Sequence, residues 1–264
     1  MAYLGNRREV YWVSQMGLKE SEKIRYSRQI MVKGWGEAAQ LKVKSARVAV
    51  IGVGGLGSPA SLYLAASGIG YLRLIDCDTV DLSNLNRQIL HWSTDLGRPK
   101  VESAAMKLTQ LNPEIAVDPV NEALTVDNVA ELLKGIDVVV DGLDNLQSRF
   151  IVNEACVSLR IPYVYGAVYG MEGFLTTIVP GEGPCLRCIY PSASAPAEAF
   201  PVVGTAPGVI GSLEASEALK LITGIGKPAI ERLIIYDGEL MRFDEIAIKK
   251  DEGCPVCSRQ KPIR

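Results

Sequence analysis

The chain has 264 residues, 48% hydrophobic and 22% charged, so it is long enough to bury a large core as one big domain or two small ones. Its 28 basic and 30 acidic residues give a formal net charge of -2, which excludes the bulk positive field that non-specific nucleic-acid binding needs. The N-terminal segment has no secretory pattern, and no uncharged apolar run reaches the length of about 18 residues that a spanning helix requires. We therefore expect a cytoplasmic protein that binds neither nucleic acid nor membrane.

Apolar periodicity predicts alternating strands and helices along most of the chain. Strands are predicted at 47–52, 71–76, 115–121, 136–142, 162–168, 173–181, 233–238 and 241–248. Helices are predicted within 1–45, at 58–67, from Pro99 to before Asn112, at 127–134, around 152–159 and at 209–223. The alternation predicts an α/β fold, a Rossmann-like doubly wound sheet that is mostly parallel, with helices on both faces, N-terminal helices and C-terminal strands.

A glycine-rich motif, Gly52-Val53-Gly54-Gly55-Leu56-Gly57, directly follows the first predicted strand and fits the pattern G-x-G-x-x-G. A backbone without side chains at these glycines can turn tightly and approach a phosphate or ribose. Asp76 ends the next predicted strand, where its carboxylate can accept hydrogen bonds from ribose hydroxyls. The pattern favours nucleotide binding over glycines used only for close packing, but it does not distinguish NAD, FAD and ATP.

A second set of polar residues follows the predicted strand ends, where an open α/β sheet forms its ligand crevice. It comprises Asn84, Arg87, Lys100, Asp144, Asn145 and Arg149. Arginine and lysine offset triphosphate charge and aspartate holds Mg²⁺, so the set favours phosphoryl or nucleotidyl transfer. Each residue taken alone could be a solvated loop charge, which leaves an NAD-dependent oxidoreductase as an alternative.

The chain contains one histidine, His91. A metal site of several histidines is therefore excluded, and a His-dependent triad would rest on this one residue. We interpret His91 as a partly buried contact rather than a general base.

Six cysteines are present, and four of them form two Cys-x-x-Cys pairs, Cys185/Cys188 and Cys254/Cys257. Four thiolates suit a closed, structural Zn²⁺ site, although redox or free thiols remain alternatives because the pairs are far apart in the chain. We expect Cys77 and Cys156 to be inert packing residues.

Several motifs together resemble the MoeB/ThiF/HesA adenylyltransferases, relatives of the ubiquitin-activating enzymes. They are RYSRQI (25–30), GVGGLGS (52–58), LIDCDTVDLSNLNRQ (74–88), GRPKVESA (97–104), DNLQSR (144–149) and the two cysteine pairs. The resemblance implies that ATP is used to adenylate the C-terminal glycine of a small β-grasp, ubiquitin-like carrier protein ending in Gly-Gly. It also implies a homodimer.

The resemblance further implies roles for single residues. Gly55 and Asp76 would contact adenosine, Lys100 would neutralise phosphate charge, and Asp144 would bind Mg²⁺. Arg28 would reach the triphosphate from the other subunit of the dimer. The implied nucleotide contacts are Gly52, Gly54, Gly55, Gly57, Asp76, Ser83, Asn84, Leu85, Asn86, Arg87, Lys100, Asp144 and Asn145, and the implied catalytic residues are Arg28, Arg87, Lys100 and Asp144.

The resemblance implies one adenylation domain over 1–264. N-terminal helices would occupy 1–45, a nucleotide-binding core 46–180, a crossing loop 181–208, and a C-terminal part with the second zinc knuckle 209–264.

Many relatives carry a cysteine in the crossing loop for a thioester or persulfide, but the segment 189–207 contains none. This departure leaves a separate sulfur donor and a non-catalytic carrier-binding scaffold as open possibilities, and the pathway undecided among molybdopterin, thiamine, tRNA thiolation and protein conjugation.

Overall fold

The computed structural model describes residues 17–191 and 201–259, and they form one eight-stranded sheet flanked by helices. The strands are β1 (Arg47–Ile51), β2 (Tyr71–Ile75), β3 (Ala116–Val120), β4 (Val138–Asp141), β5 (Tyr163–Tyr169), β6 (Glu172–Ile178), β7 (Arg232–Asp237) and β8 (Arg242–Ala247). Their order across the sheet is β3-β2-β1-β4-β5-β6-β7-β8. The pairs from β3 to β5 are parallel and those from β5 to β8 are antiparallel, which confirms the predicted mostly parallel sheet at its nucleotide-motif half.

The helices of the described residues precede β1 or connect the later strands. They are α1 (Glu20–Arg25), α2 (Ser27–Ile30), α3 (Gly36–Ser45), α4 (Gly57–Ser67), α5 (Lys100–Leu111), α6 (Val129–Leu132), α7 (Leu146–Leu159), α8 (Leu186–Ile189) and α9 (Thr205–Thr223). Two short 3₁₀ turns, Leu82–Asn84 and Ser93–Asp95, lie in the long polar segment after β2. Within 17–191 and 201–259, no helix combines the length and the apolar character that a membrane crossing requires.

The central strand β1 shows why the sheet is covered on both faces. Val48 and Val50 pack with α3, α4, α5 and α9, whereas Ala49 and Ile51 pack with α6 and α7 on the opposite face. A strand buried on both faces reads as a continuous apolar run rather than an alternating one, as RVAVI does. The α/β class and the helices on both faces are therefore confirmed.

The region predicted as a crossing loop differs from the expectation at both ends. The prediction of an irregular segment over 181–208 is wrong where α8 forms near its start and where α9 begins at Thr205, not at 209. Pro207 lies in the first turn of α9, where a missing backbone N–H costs no helical hydrogen bond. Residues 192–200 of the predicted loop and 1–16 of the predicted N-terminal helices lie outside the described residues.

Candidate active site

The glycine turn between β1 and α4 lies directly against the loop that follows β4. Gly52 has a φ of +87°, and a Cβ there would collide with the Gly142 carbonyl, while a Cβ at Gly57 would collide with the Gly52 carbonyl. Gly54 and Gly55 are less crowded, because a Cβ on Gly54 would lie 3.5 Å from the Gln88 amide nitrogen. Gly52 and Gly57 are therefore required by packing, whereas a Cβ on Gly54 would meet the end of the Gln88 side chain and a Cβ on Gly55 the ring of Pro207.

Asp76 ties the glycine turn to the end of β2. Its Oδ2 accepts a hydrogen bond from the Val53 amide at 2.7 Å, and its Oδ1 accepts one from the Asp78 amide at 2.8 Å. A carboxylate has about four lone-pair positions, so further acceptor capacity remains for ribose hydroxyls. The structure thus places Asp76 beside the turn, as expected for a nucleotide contact.

The 3₁₀ segment after β2 brings Arg87 to the same place. The Arg87 Nη1 donates to the Ser83 carbonyl at 2.9 Å and to the Asn86 side chain at 3.0 Å. A Cβ on Gly55 would lie 3.6 Å from the Arg87 Cγ, and the start of α9 packs on the other side of Arg87 through Gly204. Arg87 therefore lies between the glycine turn and α9.

Asn84 and Leu85 are half-buried in this segment, and the Asn84 side chain accepts from the Asp81 amide at 3.1 Å.

Lys100 opens α5 beside the end of β2, as predicted. Its side chain is 7% exposed, and its Nζ lies 2.9 Å from an Asp78 carboxylate that is itself 64% exposed. A buried ammonium with an exposed partner can exchange that partner for another anion, since the partner's carboxylate regains water. Lys100 is thus placed to receive a phosphate oxygen in competition with Asp78.

The loop after β4 presents Asp144 and Asn145. Asp144 is exposed, and its Oδ1 accepts from the Asn145 amide group at 3.2 Å. The Asn145 Oδ1 in turn accepts from the Ser148 amide at 2.9 Å and so caps α7. An exposed carboxylate held by a helix cap suits Mg²⁺, which prefers oxygen ligands and keeps several waters.

Arg149 does not join this crevice as a free cation, contrary to the sequence-based expectation. It is buried, its Nε lies 3.0 Å from Asp141, and its Nη2 donates to the Leu143 and Gly166 carbonyls at 2.6 and 2.8 Å. The Tyr163 hydroxyl donates to the same Asp141 carboxylate at 2.5 Å. Arg149 therefore braces the Asp144 loop against β5 because all of its polar contacts point inward.

Glu214 of α9 is a buried acid that sequence reasoning missed. Among the described residues neither carboxyl oxygen has a hydrogen-bond partner, and the side chain lies where a Cβ on Gly166 would be. Burial, with the nearby Asp141 charge, raises the pKa of Glu214 well above its ordinary value. The helical spacing from Ile210 through Glu214 to Ala218 was the available signal, since these positions share a buried face.

Arg28 lies apart from the glycine turn of its own chain. It is exposed on α2, and the adjacent Gln29 donates to the Ser67 carbonyl at 3.1 Å, at the C-terminal end of α4. The glycine turn is at the other end of α4, about 15 Å away along the helix axis. Within one chain, the structure does not bring Arg28 to the other predicted catalytic residues.

The two cysteine pairs meet on the face of the sheet covered by α7 and α8. All four Sγ atoms lie within 4.8 Å of one another, with separations of 3.7 Å for Cys185 and Cys254 and 3.4 Å for Cys188 and Cys257. Zinc bonded to four sulfurs at about 2.3 Å would place those sulfurs about 3.8 Å apart in a tetrahedron. The donor set and its spacing fit a structural zinc ion.

The two remaining cysteines differ in burial. Cys156 is buried, as predicted, but the prediction that Cys77 is a packing residue is wrong, because β2 ends before it and its side chain is exposed. Partial burial and the carboxylates of Asp78 and Asp76 raise the pKa of the Cys77 thiol, which keeps it a poor nucleophile.

Comparison with known proteins identifies the family. Residues 26–256 match the model of the ThiF family. The chain is 42% identical over 247 residues to the SAMP-activating enzyme E1 of Haloferax volcanii, covering 92% of this chain and 91% of the relative. It is also 42% identical over 247 residues to the molybdopterin-synthase adenylyltransferase of Escherichia coli, covering 92% of this chain and 99% of that protein.

Solved structures agree in fold. A crystal structure of E. coli MccB with ATP superposes with a TM-score of 0.81 at 25% identity, over 89% of this chain and 75% of that one. The MccB structure with MccA-N7isoASN gives a TM-score of 0.83 at 24% identity, over 91% and 76% of the two chains. The sequence match extends over nearly the whole length of both relatives, one of which is named an adenylyltransferase, so the NAD-dependent oxidoreductase alternative is wrong. The chain belongs to the ThiF family and is an adenylyltransferase.

Proposed function

We propose that this enzyme uses ATP to adenylate the C-terminal glycine of a small ubiquitin-like carrier protein that ends in Gly-Gly, with release of pyrophosphate. The observation that carries the proposal is the convergence of the glycine turn, Asp76, Arg87, Lys100 and Asp144 at the carboxyl ends of neighbouring parallel strands. The names of the relatives, one activating SAMP and one adenylylating molybdopterin synthase, support a protein substrate.

The adenosine would lie along the glycine turn. The backbone at Gly54 and Gly55 is less crowded than at Gly52 and Gly57, and Asp76 offers its remaining acceptor positions to ribose hydroxyls. The turn leads into the N-terminus of α4, where the positive end of the helix dipole favours an anion. The nucleotide would therefore point its phosphates from the turn towards Arg87 and Lys100.

The phosphates would be held by charge rather than by a covalent bond to the enzyme. Lys100 would exchange Asp78 for a phosphate oxygen, and Arg87 would contact the phosphates from the opposite side. Asp144, with Asn145 beside it, would hold Mg²⁺, which offsets charge that develops on the phosphates during transfer. The carrier's terminal carboxylate attacks the α-phosphorus, one phosphoanhydride bond breaks, and pyrophosphate leaves. Positioning and charge stabilisation carry this step, so no enzyme nucleophile is required.

We propose a homodimer in which Arg28 completes the site of the other subunit. Its exposure and its distance from the glycine turn of its own chain support this role. A second copy would bring the guanidinium to the triphosphate, where it can bind phosphate oxygens through two N–H groups. One composite site would then contain groups from two chains.

We propose that Cys185, Cys188, Cys254 and Cys257 bind one structural Zn²⁺ per chain. A filled tetrahedron leaves no open position for substrate, so the ion would stabilise the fold. Reduced thiolates of this kind suit a reducing cytoplasm, where we expect the enzyme to act.

The acyl adenylate would pass to an external acceptor or sulfur donor. The segment 189–207 contains no cysteine, and serine or threonine hydroxyls are far too basic to replace a thiolate without an activating base. We therefore propose no covalent carrier–enzyme intermediate.

Carrier-dependent exchange of labelled pyrophosphate into ATP tests the proposal. We expect exchange with wild-type enzyme, its loss in Asp144→Asn, and wild-type rates in Asp127→Asn, a matched change of another exposed aspartate. Carrier binding without exchange by the wild type would instead establish the non-catalytic scaffold.

A further inference from the structure

A chain of buried polar groups connects the glycine turn to the middle of α5. The His91 Nε2 lies 2.8 Å from the Val53 carbonyl oxygen, and its Nδ1 lies 2.9 Å from the Ser103 hydroxyl. The Lys107 Nζ lies 2.9 Å from that same hydroxyl and pairs with the Asp95 carboxylate. All four side chains are less than 9% exposed, and the sequence-based view of His91 as only partly buried understates its burial.

The chemistry of the end groups fixes the direction of the outer hydrogen bonds in this chain. A carbonyl oxygen only accepts, so the His91 Nε2 must carry a proton. An ammonium only donates, so Lys107 donates to Ser103 and to Asp95. The Ser103 hydroxyl proton has two acceptors within reach, the His91 Nδ1 and the Asp95 carboxylate, and Asp95 already pairs with the Lys107 ammonium. The arrangement is therefore satisfied by a neutral imidazole protonated at Nε2.

We propose that His91 is a positioning residue of the nucleotide site, a neutral Nε2–H imidazole that holds the Val53 carbonyl and thereby fixes the glycine turn for ATP. The proposal rests on the proposed function of that turn as the adenosine site. His91 touches neither substrate nor phosphate in this account, and acts only through the Val53 peptide.

Val53 is held at both of its backbone polar atoms, which belong to successive peptide groups. Asp76 accepts from its N–H at 2.7 Å, and His91 donates to its carbonyl at 2.8 Å. Ser58 Oγ also lies 3.4 Å from this oxygen, which is a longer and weaker contact. A turn flanked by glycines has large conformational freedom, so clamping Val53 within it lowers the entropy that ATP binding must remove.

The charged groups around His91 favour the neutral form. Burial lowers the pKa of His91, and Lys107 and Lys100 of α5 lower it further, whereas the Val53 carbonyl and Asp76 act in the opposite direction. Asp95 is already paired with Lys107. A proton at Nδ1 would turn the Ser103 hydroxyl proton towards its other acceptor, the Asp95 carboxylate, which already pairs with Lys107.

Nuclear magnetic resonance can read this state directly, because the chain has one histidine. A long-range ¹H–¹⁵N spectrum of ¹⁵N-labelled wild-type protein is expected to show one imidazole with Nε2 protonated and Nδ1 bare, titrating below its ordinary pKa. An Nδ1–H tautomer, or a pKa at or above the ordinary value, would overturn the proposal.

A matched pair of variants tests positioning against mere stability. In His91→Gln the amide nitrogen can reach the Val53 carbonyl in place of Nε2, whereas the shorter His91→Asn can replace only Nδ1. We expect His91→Asn to weaken ATP binding about tenfold and His91→Gln to remain within about threefold of wild type, measured by calorimetry without carrier. Equal loss in both variants, or ATP affinity unchanged in both, would overturn it. Because carrier is absent, a failure of carrier adenylation leaves this readout intact.

Discussion

The glycine-turn site and the cysteine cluster both gather reactive groups from distant parts of the chain, but they differ in access. At the glycine turn Asp144 is exposed and Arg87 is half-buried, so a ligand can reach them. In the cysteine cluster three of the four thiols are buried and pack with the side chains of α7. We infer that the glycine-turn site exchanges ligands and that the cysteine cluster keeps its ligands, so substitutions in the two regions should have different effects.

The largest expected effect is on the cluster. Cys254→Ser removes one of four proposed zinc ligands, and structural zinc contributes folding free energy outright, so we expect loss of zinc and a large drop in melting temperature. Cys77→Ser, which changes an exposed thiol outside the cluster, is the control and should alter neither. Metal analysis and thermal unfolding measure both. If Cys254→Ser kept its stability but lost pyrophosphate exchange, the cluster would act in catalysis rather than in stabilising the fold.

The next effect is on chemistry at the glycine-turn site. Lys100→Met keeps the aliphatic stem but removes the ammonium, so we expect carrier-dependent exchange to fall by about 10²–10³-fold. Its partner Asp78 is largely exposed and can be solvated, so stability should change by less than about 1 kcal/mol. Exchange kinetics and urea unfolding of the same preparation separate the two. A variant that unfolds more easily but exchanges normally would place Lys100 with the structural groups.

A smaller recovery of activity is expected when subunits of two inactive variants are mixed. Arg28→Ala and Asp144→Asn are each expected to abolish exchange, but a mixed dimer would contain one site with both groups intact. Random mixing of equal amounts is expected to restore about a quarter of wild-type activity. No recovery after verified subunit exchange would show that Arg28 serves its own chain.

The smallest effect concerns Glu214, whose buried carboxyl belongs to neither region. Its folded-state pKa is raised above the ordinary 4.5, so its stabilising contribution is present below about pH 4.5 and is lost as the pH rises towards the folded value. Glu214→Gln does not titrate, so its stability relative to wild type should improve with pH by up to about 1.4 kcal/mol per unit.

Urea unfolding at pH 5 and pH 7 measures the Glu214 effect. Glu217→Gln is the matched control, because Glu217 is buried on the same helix but accepts from the Ala229 amide and the Thr177 hydroxyl. That variant should be destabilised. A Glu214→Gln difference that is independent of pH would contradict the raised pKa.

Sequence patterns predicted the strands that consist of uninterrupted runs of buried apolar residues. The runs RVAVI and VVVD indicate strands covered on both faces, and the structure has them at β1 and β4. The start of α9 could not be predicted, because Thr205-Ala-Pro-Gly is weakly helical alone and its place is set by Pro207 against Gly55. Spacing likewise indicated two cysteine pairs, whereas their meeting depends on the tertiary fold.

Charge in a sequence does not tell whether a side chain points inward. Arg149 and Lys100 both follow strand ends. The Arg149 guanidinium is engaged by Asp141 and two backbone carbonyls, whereas the Lys100 ammonium pairs with the exposed carboxylate of Asp78. His91 was equally ambiguous, since its role depends on a carbonyl oxygen that no residue pattern reveals.

In the proposed reaction the carrier's terminal carboxylate attacks the α-phosphorus of ATP at the glycine-turn site. Mass spectrometry of the carrier after incubation with enzyme and ATP tests it most directly, with the nucleotide products measured in parallel. We expect the carrier to gain the mass of an adenylyl group, with one pyrophosphate released per adduct, and no adduct with Asp144→Asn. Formation of ADP and phosphate, or an unmodified carrier with wild-type enzyme, would contradict the account.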